Sequence, residues 1–268
     1  MRTVSLIAIA MLAACGKTAA PQVATAAAVV ADVPKGDPVE GARIARRVGC
    51  DGCHDEGGKG GGFDIKTPEG DRLVAPNLTK RRVLYNDAGI TALLREGKTH
   101  DGHRPVGMPI FMFQHLSDAE VRDIIAWLRG LPVVENPGLA ESALTAATVK
   151  QLQEGTYPFD DDIPDPGNQP PATRPVEPLA LGRHIAMTSC GECHGRDLNG
   201  WGPGDPAPSL AVAKAYTPEK FTRLMRTGEI ASGGESKTGM MSGIAKYRFA
   251  STLTDGEIAA LKLYLDSR

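Results

Sequence analysis

The chain has 268 residues, with 30 Lys and Arg against 32 Asp and Glu and a net charge of −2. That balance excludes a dedicated nucleic-acid binder, which carries a basic surplus, and no apolar run reaches the roughly 18 residues that span a bilayer, which excludes a polytopic membrane protein. Aromatic residues make up only 5%, while Gly and Pro number 31 and 20, a composition of short elements joined by many turns.

The first fifteen residues, MRTVSLIAIAMLAAC, place one arginine before a short apolar stretch and small residues before a cysteine, the shape of an export signal. Leu12-Ala13-Ala14-Cys15 resembles a bacterial lipobox, which implies lipidation of Cys15 and removal of residues 1–14. An ordinary export signal with an incidental cysteine is the alternative. Gly16 after Cys15, where an aspartate would resemble a retention signal, favours the outer membrane over the inner. Residues 15–37, rich in Ala, Val and Pro, read as a tether.

Cys50-Asp51-Gly52-Cys53-His54 and Cys190-Gly191-Glu192-Cys193-His194 are two copies of C-x-x-C-H, the attachment sequence for c-type haem. Two thiols three positions apart on a helical turn reach the two vinyl groups of one porphyrin, and the adjacent imidazole points at its iron. A zinc site built from the four cysteines and two histidines, a thioredoxin-like C-x-x-C and a pair of structural disulfides are the competing readings. Zinc sites pair C-x-x-C with a distant second half, a redox C-x-x-C wants a βαβ context, and neither explains a histidine following twice.

The flanks repeat too, which predicts two domains. Pro38 and Pro178 stand twelve residues before the first cysteine of each motif and open amphipathic stretches, the first with Asp37 as N-cap. Residues 90–97 parallel 221–228, each ending in a glycine that marks a helix C-terminus. Residues 116–131 parallel 253–268, opening with capping boxes formed by Ser117 with Glu120 and Thr254 with Glu257. The expectation is an all-α chain of two helical domains, 38–134 and 178–268.

This layout resembles class I cytochrome c domains, over about 190 of the 268 residues. The tandem pair is similar to the cytochrome subunits of bacterial periplasmic dehydrogenases and respiratory complexes. Ala75-Pro76-Asn77-Leu78-Thr79, Asp101-Gly102 and Met108-Pro109 make the first half the closer match. The resemblance implies two covalently attached haem c groups, held by Cys50, Cys53, Cys190 and Cys193, with His54 and His194 as proximal iron ligands. It also implies that Pro76 and Pro208 lend backbone carbonyls to those imidazoles, although Pro206 competes with Pro208.

For the opposite face of each iron the resemblance points to Met108 and Met241. In the first half Met112, His100, His103 and His115 are the alternatives, Met112 reading also as core and His100 and His103 as solvated loop residues. In the second half Met240 competes with Met241, and His184 is expected to point along the helix pair or to solvent. Trp201 is expected to line or cover the second haem pocket.

Residues 135–177 form a Pro-rich acidic linker of net charge −6, against +1 and +2 for the flanking domains. Residues 141–153 are expected to form one helix, and the segment to run as an ordered strap or a solvated spacer. The resemblance implies an electron carrier in the bacterial cell envelope, on the periplasmic side, with no chemistry of its own on a substrate. Its partners would be a dehydrogenase or respiratory complex and a small cytochrome, copper protein or oxidase. A haem enzyme with one open iron, of the di-haem peroxidase or thiosulfate-oxidising type, is the runner-up, and a gas or redox sensor a third reading.

Overall fold

The computed structural model describes residues 35–158 and 163–268. The signal segment, Cys15, most of the tether and the Asp160–Asp162 run lie outside the described residues.

Pro38 opens helix α1 (Pro38–Val48), whose first free N–H groups are taken by the Asp37 carboxylate, and Gly49 closes it at φ 93°. The first C-x-x-C-H forms the short helix α2 (Cys50–His54). An antiparallel hairpin of β1 (Asp64–Lys66) and β2 (Arg72–Val74) follows, in the register Asp64 opposite Val74. This small departure from an all-helical chain had no alternating pattern long enough to announce it. Helices α3 (Leu78–Arg81), α4 (Asp87–Glu96), α5 (Ile110–Phe113) and α6 (Asp118–Gly130) complete the first half. Helix α7 (Ala146–Glu154) lies in the linker.

The second half repeats the plan with α8 (Pro178–Ser189), α9 (Gly191–His194) and α10 (Pro218–Thr227). After them, α11 (Met240–Ile244) runs through a π turn at residues 245–249 into α12 (Ala250–Thr252), and α13 (Asp255–Ser267) ends the chain. Both predicted capping boxes form, at Ser117 with Glu120 and at Thr254 with Glu257. Gly97 and Gly228 end α4 and α10 in the left-handed conformation.

In each half the first and last helices cross at a glycine. A Cβ on Gly41 of α1 would lie 1.9 Å from the Asp123 carbonyl oxygen of α6, and one on Gly182 of α8 would lie 2.0 Å from that of Ala260 in α13. Only a bare backbone fits there. Behind these crossings sit two cores, one including Ile44, Leu94, Ile110, Met112 and Ile124, the other Ile185, Phe221, Leu224, Ile258 and Leu261. A second repeated device is an arginine near the end of α4 and of α10. Arg95 donates to the Gln114 and Leu116 carbonyls and pairs with Asp118. Arg226 donates to the Ala250 and Leu253 carbonyls and pairs with Asp255.

Residues 35–268 pack as one unit, and the two halves meet through their capping carboxylates. His184, two residues past the crossing glycine of α8, places Nε2 2.7 Å from Glu120 Oε2 in the first half. Arg43, two residues past the crossing glycine of α1, places Nη1 3.0 Å from Glu257 Oε2 in the second. Arg47 also pairs with Glu120 at 2.8 Å, and Arg174 with Glu257. His184 is therefore buried at 6% exposure, facing neither solvent nor its own helix pair, because the other half supplies a carboxylate for it.

The linker is a strap with partners along its length. Residues 141–145 are not helical as expected, because the β2 edge recruits them. Arg72 and Ala143 exchange backbone hydrogen bonds, and Ser142 Oγ donates to the Val74 carbonyl and accepts from its N–H. The helix begins only at Ala146, capped by Thr145, whose N–H also donates to buried Asp71 at 2.6 Å. Farther on, the Asp118 and Ala119 N–H groups at the start of α6 donate to the Pro171 and Ala172 carbonyls. Asp165 pairs with Arg196 of the second half at 2.8 Å.

Candidate functional site

Each C-x-x-C-H sits directly after the first long helix of its half, so the crossing that builds the core also fixes the motif. Among the described residues none of the motif cysteines forms a disulfide, which removes the disulfide reading. Among the described residues no group of three or more His, Cys, Asp and Glu is placed to hold a metal ion, so the zinc reading fails as well.

The histidines share one geometry. His54 Nδ1 lies 2.8 Å from the Pro76 carbonyl oxygen and His194 Nδ1 lies 2.7 Å from that of Pro208. A carbonyl only accepts, so Nδ1 carries the proton in both rings and the Nε2 lone pair is left for a metal. Burial lowers both imidazoles, with the proline carbonyl opposing in each case, which keeps the rings neutral as iron ligation needs. The chain then turns back identically, the Gly60 N–H donating to the His54 carbonyl and the Gly200 N–H to that of His194, both at 2.7 Å.

In the first half Cys50, Cys53, His54, Pro76 and Met108 line one cavity of about 410 Å³, with Tyr85 beside them. Its volume falls in the range of cofactor pockets, and its lining pairs apolar walls with a few polar groups. Two thiols, a neutral imidazole and a thioether around one such cavity fit a covalently held haem. Met112 is fully buried in the core and is not among the cavity-lining residues. His100 lines the cavity mouth and stands edge-on to Tyr85 at 5.3 Å, His103 is exposed, and His115 lies 3.6 Å from Asp165 of the strap.

In the second half Met241 packs against the core while Met240 is 55% exposed. Residues 36–128 match the family model for cytochrome c oxidase, cbb3-type, subunit III, and residues 179–268 match the model for cytochrome c. The chain is a tandem pair of cytochrome c domains. Each carries one covalently attached haem c, on Cys50 and Cys53 in the first and on Cys190 and Cys193 in the second. No curated protein matches the chain.

Two features of this di-haem cytochrome lay beyond sequence reasoning. Trp201 reaches across to the other domain: its indole N–H donates to the Glu192 carbonyl at 3.0 Å, and its ring stands edge-on to Phe111 of the first domain, 5.7 Å away. Arg248 comes off the π turn, outside any helical periodicity that would mark it, and lies against both attachment turns.

Proposed function

We propose that this cytochrome relays single electrons on the periplasmic side of the bacterial cell envelope, from a dehydrogenase or respiratory complex to a small cytochrome, copper protein or oxidase. The observation that carries the reading is the pair of neutral imidazoles, each locked by a proline carbonyl immediately after two thiols. Bound haem supplies the one-electron chemistry. The protein's part is to anchor, ligate, orient and bury.

His54 and His194 serve as proximal ligands, and the carbonyls of Pro76 and Pro208 hold their rings in register and raise their basicity. Met108 and Met241 would supply the thioether ligands, a His/Met pairing that raises the potential. Met108 has the cavity position for this and Met241 the packed environment, whereas Met240 faces water. With both thioethers engaged, neither iron would accept a substrate. Neither matched family is a peroxidase, and once Cys15 is lipidated no cysteine is left for thiosulfate-type ligation. The match to an oxidase subunit supports a respiratory partner. Among the described residues no helix is long and apolar enough to cross a membrane. Attachment through lipidated Cys15, to the outer membrane, is the anchoring the lipobox supports.

The test is the visible and near-infrared spectrum of the full-length protein, with a haem count and a carbon monoxide titration of the reduced form. Two haems per chain, a methionine–iron charge-transfer band scaled to both, and no carbon monoxide shift are expected. A carbon monoxide response at either haem overturns the reading in favour of an enzyme.

A further inference from the structure

Arg248 stands at the junction of the two attachment turns. It belongs to the second domain, on the π turn Ala245–Phe249 that interrupts the helical run from α11 to α12. Such turns insert a residue into the helix and re-aim its side chains, and they cluster at functional sites. From there the guanidinium reaches into the first domain. Its Nη2 lies 2.4 Å from the place a Cβ on Gly49 would occupy and 3.3 Å from that of Gly52. Gly49 directly precedes Cys50, and Gly52 lies between Cys50 and Cys53. Its Nη1 meets Glu192 Oε2 at 3.2 Å, between Cys190 and Cys193, and the side chain is 11% exposed. Glu192 in turn lines the first domain's cavity. One cation and its counter-ion thus stand beside both attachment turns.

We propose that Arg248 is a positioning and tuning residue that sets the redox potentials of both haems together, and that Glu192 holds it in place and tempers its field. A fixed positive charge in a water-poor junction favours the reduced iron, which carries one charge less. Because one guanidinium faces both turns, it lifts the two potentials in parallel. A shared lift raises both potentials without changing the gap between them, so the pair responds to this one charge as a unit.

This inference rests on the reading of both haems as electron carriers. Redox titration of each haem, followed in the visible spectrum, tests it on the wild type, Arg248→Gln, Arg248→Lys and Glu192→Gln, each checked for two haems per chain. Arg248→Gln is expected to lower both midpoint potentials, shifting each oxidation equilibrium about tenfold, which is ~59 mV for one electron. Arg248→Lys is expected to stay near the wild type, and Glu192→Gln to raise both potentials. A shift at one haem only, no shift in a fully loaded Arg248→Gln protein, or a lysine variant that behaves like the glutamine variant overturns the proposal. Should Arg248→Gln fail to hold two haems, Glu192→Gln decides: a rise at both haems supports the inference and any other result sinks it. The wild-type carbon monoxide titration is read separately, so an open iron would count against the carrier reading and not against this one.

Discussion

The two cytochrome domains share a frame but not the means of holding it. In the second domain the residue after the proximal histidine is Gly195, at φ 82° and ψ 162°; in the first it is Asp55, at φ 59° and ψ 163°. The same turn is thus made once by the residue suited to it and once by a side chain that strains to adopt it. The capping carboxylates differ in a similar way. Glu120 is closed off between Arg47 and His184, which are 0% and 6% exposed. Glu257 is met by Arg43 and Arg174, whose side chains still reach water. What the halves have in common is dictated by backbone geometry: caps, crossings and the returning turn. They diverge where side chains face the partner half.

The largest expected effect probes the carboxylates. Glu120→Ala leaves Arg47 fully buried, with two N–H groups that already lack a partner among the described residues, and is expected to destabilise by about 3–5 kcal/mol. Glu257→Ala is expected to cost about 1–2 kcal/mol, because the guanidiniums it abandons can turn to solvent. Equal losses in chemical denaturation would break the contrast. The helix crossings should show the opposite pattern. Gly41→Val and Gly182→Val force a side chain onto backbone oxygens at nearly the same separation, so both are expected to cost about 1–3 kcal/mol or more, to a similar degree. Thermal melts followed in the haem absorption band measure this.

Acid should sharpen the difference. Burial opposes ionisation of Glu120, but the hydrogen bond from His184, the charges of Arg47 and His184 and the Ser117 N–H outweigh it and hold the folded carboxyl well below its ordinary 4.5. The unfolded chain therefore takes up this proton first. The stabilisation is complete above about pH 4.5 and drains away as the pH falls toward the folded value. Denaturation midpoints are expected to drop below pH 4.5 in the wild type, and less steeply in Glu120→Gln. The smallest effect is local. Asp55→Gly gives the first domain the residue used by the second and is expected to raise the melting temperature by on the order of a few degrees. Gly195→Asp should lower it, because its Cβ would meet the Gly200 carbonyl at 2.7 Å.

Much of this frame was legible in the residues because it is local. Pro38, Ser117, Thr254, Gly97 and Gly228 act within a few positions of themselves, and the attachment turns are contiguous. What escaped is long-range. His184 reads as an ordinary helix residue until the other half's Glu120 is brought beside it, 64 positions away. Residues 141–145 have helical composition, yet the strand edge at Arg72–Val74 takes their hydrogen bonds. Trp201 offered its own pocket as the obvious partner, and its ring found Phe111 of the other domain.

The exchange of charges between the halves, Arg43 to Glu257 and His184 to Glu120, has the form of an isologous contact, in which a patch on one copy meets the same patch on the other as in a two-fold homodimer. Here the copies are fused. The strap holds them at an effective concentration that a separate dimer would have to match by affinity. The contact can therefore be polar and weak without coming apart, and each copy is free to drift in sequence, as Asp55 and Gly195 have done, while the two remain docked.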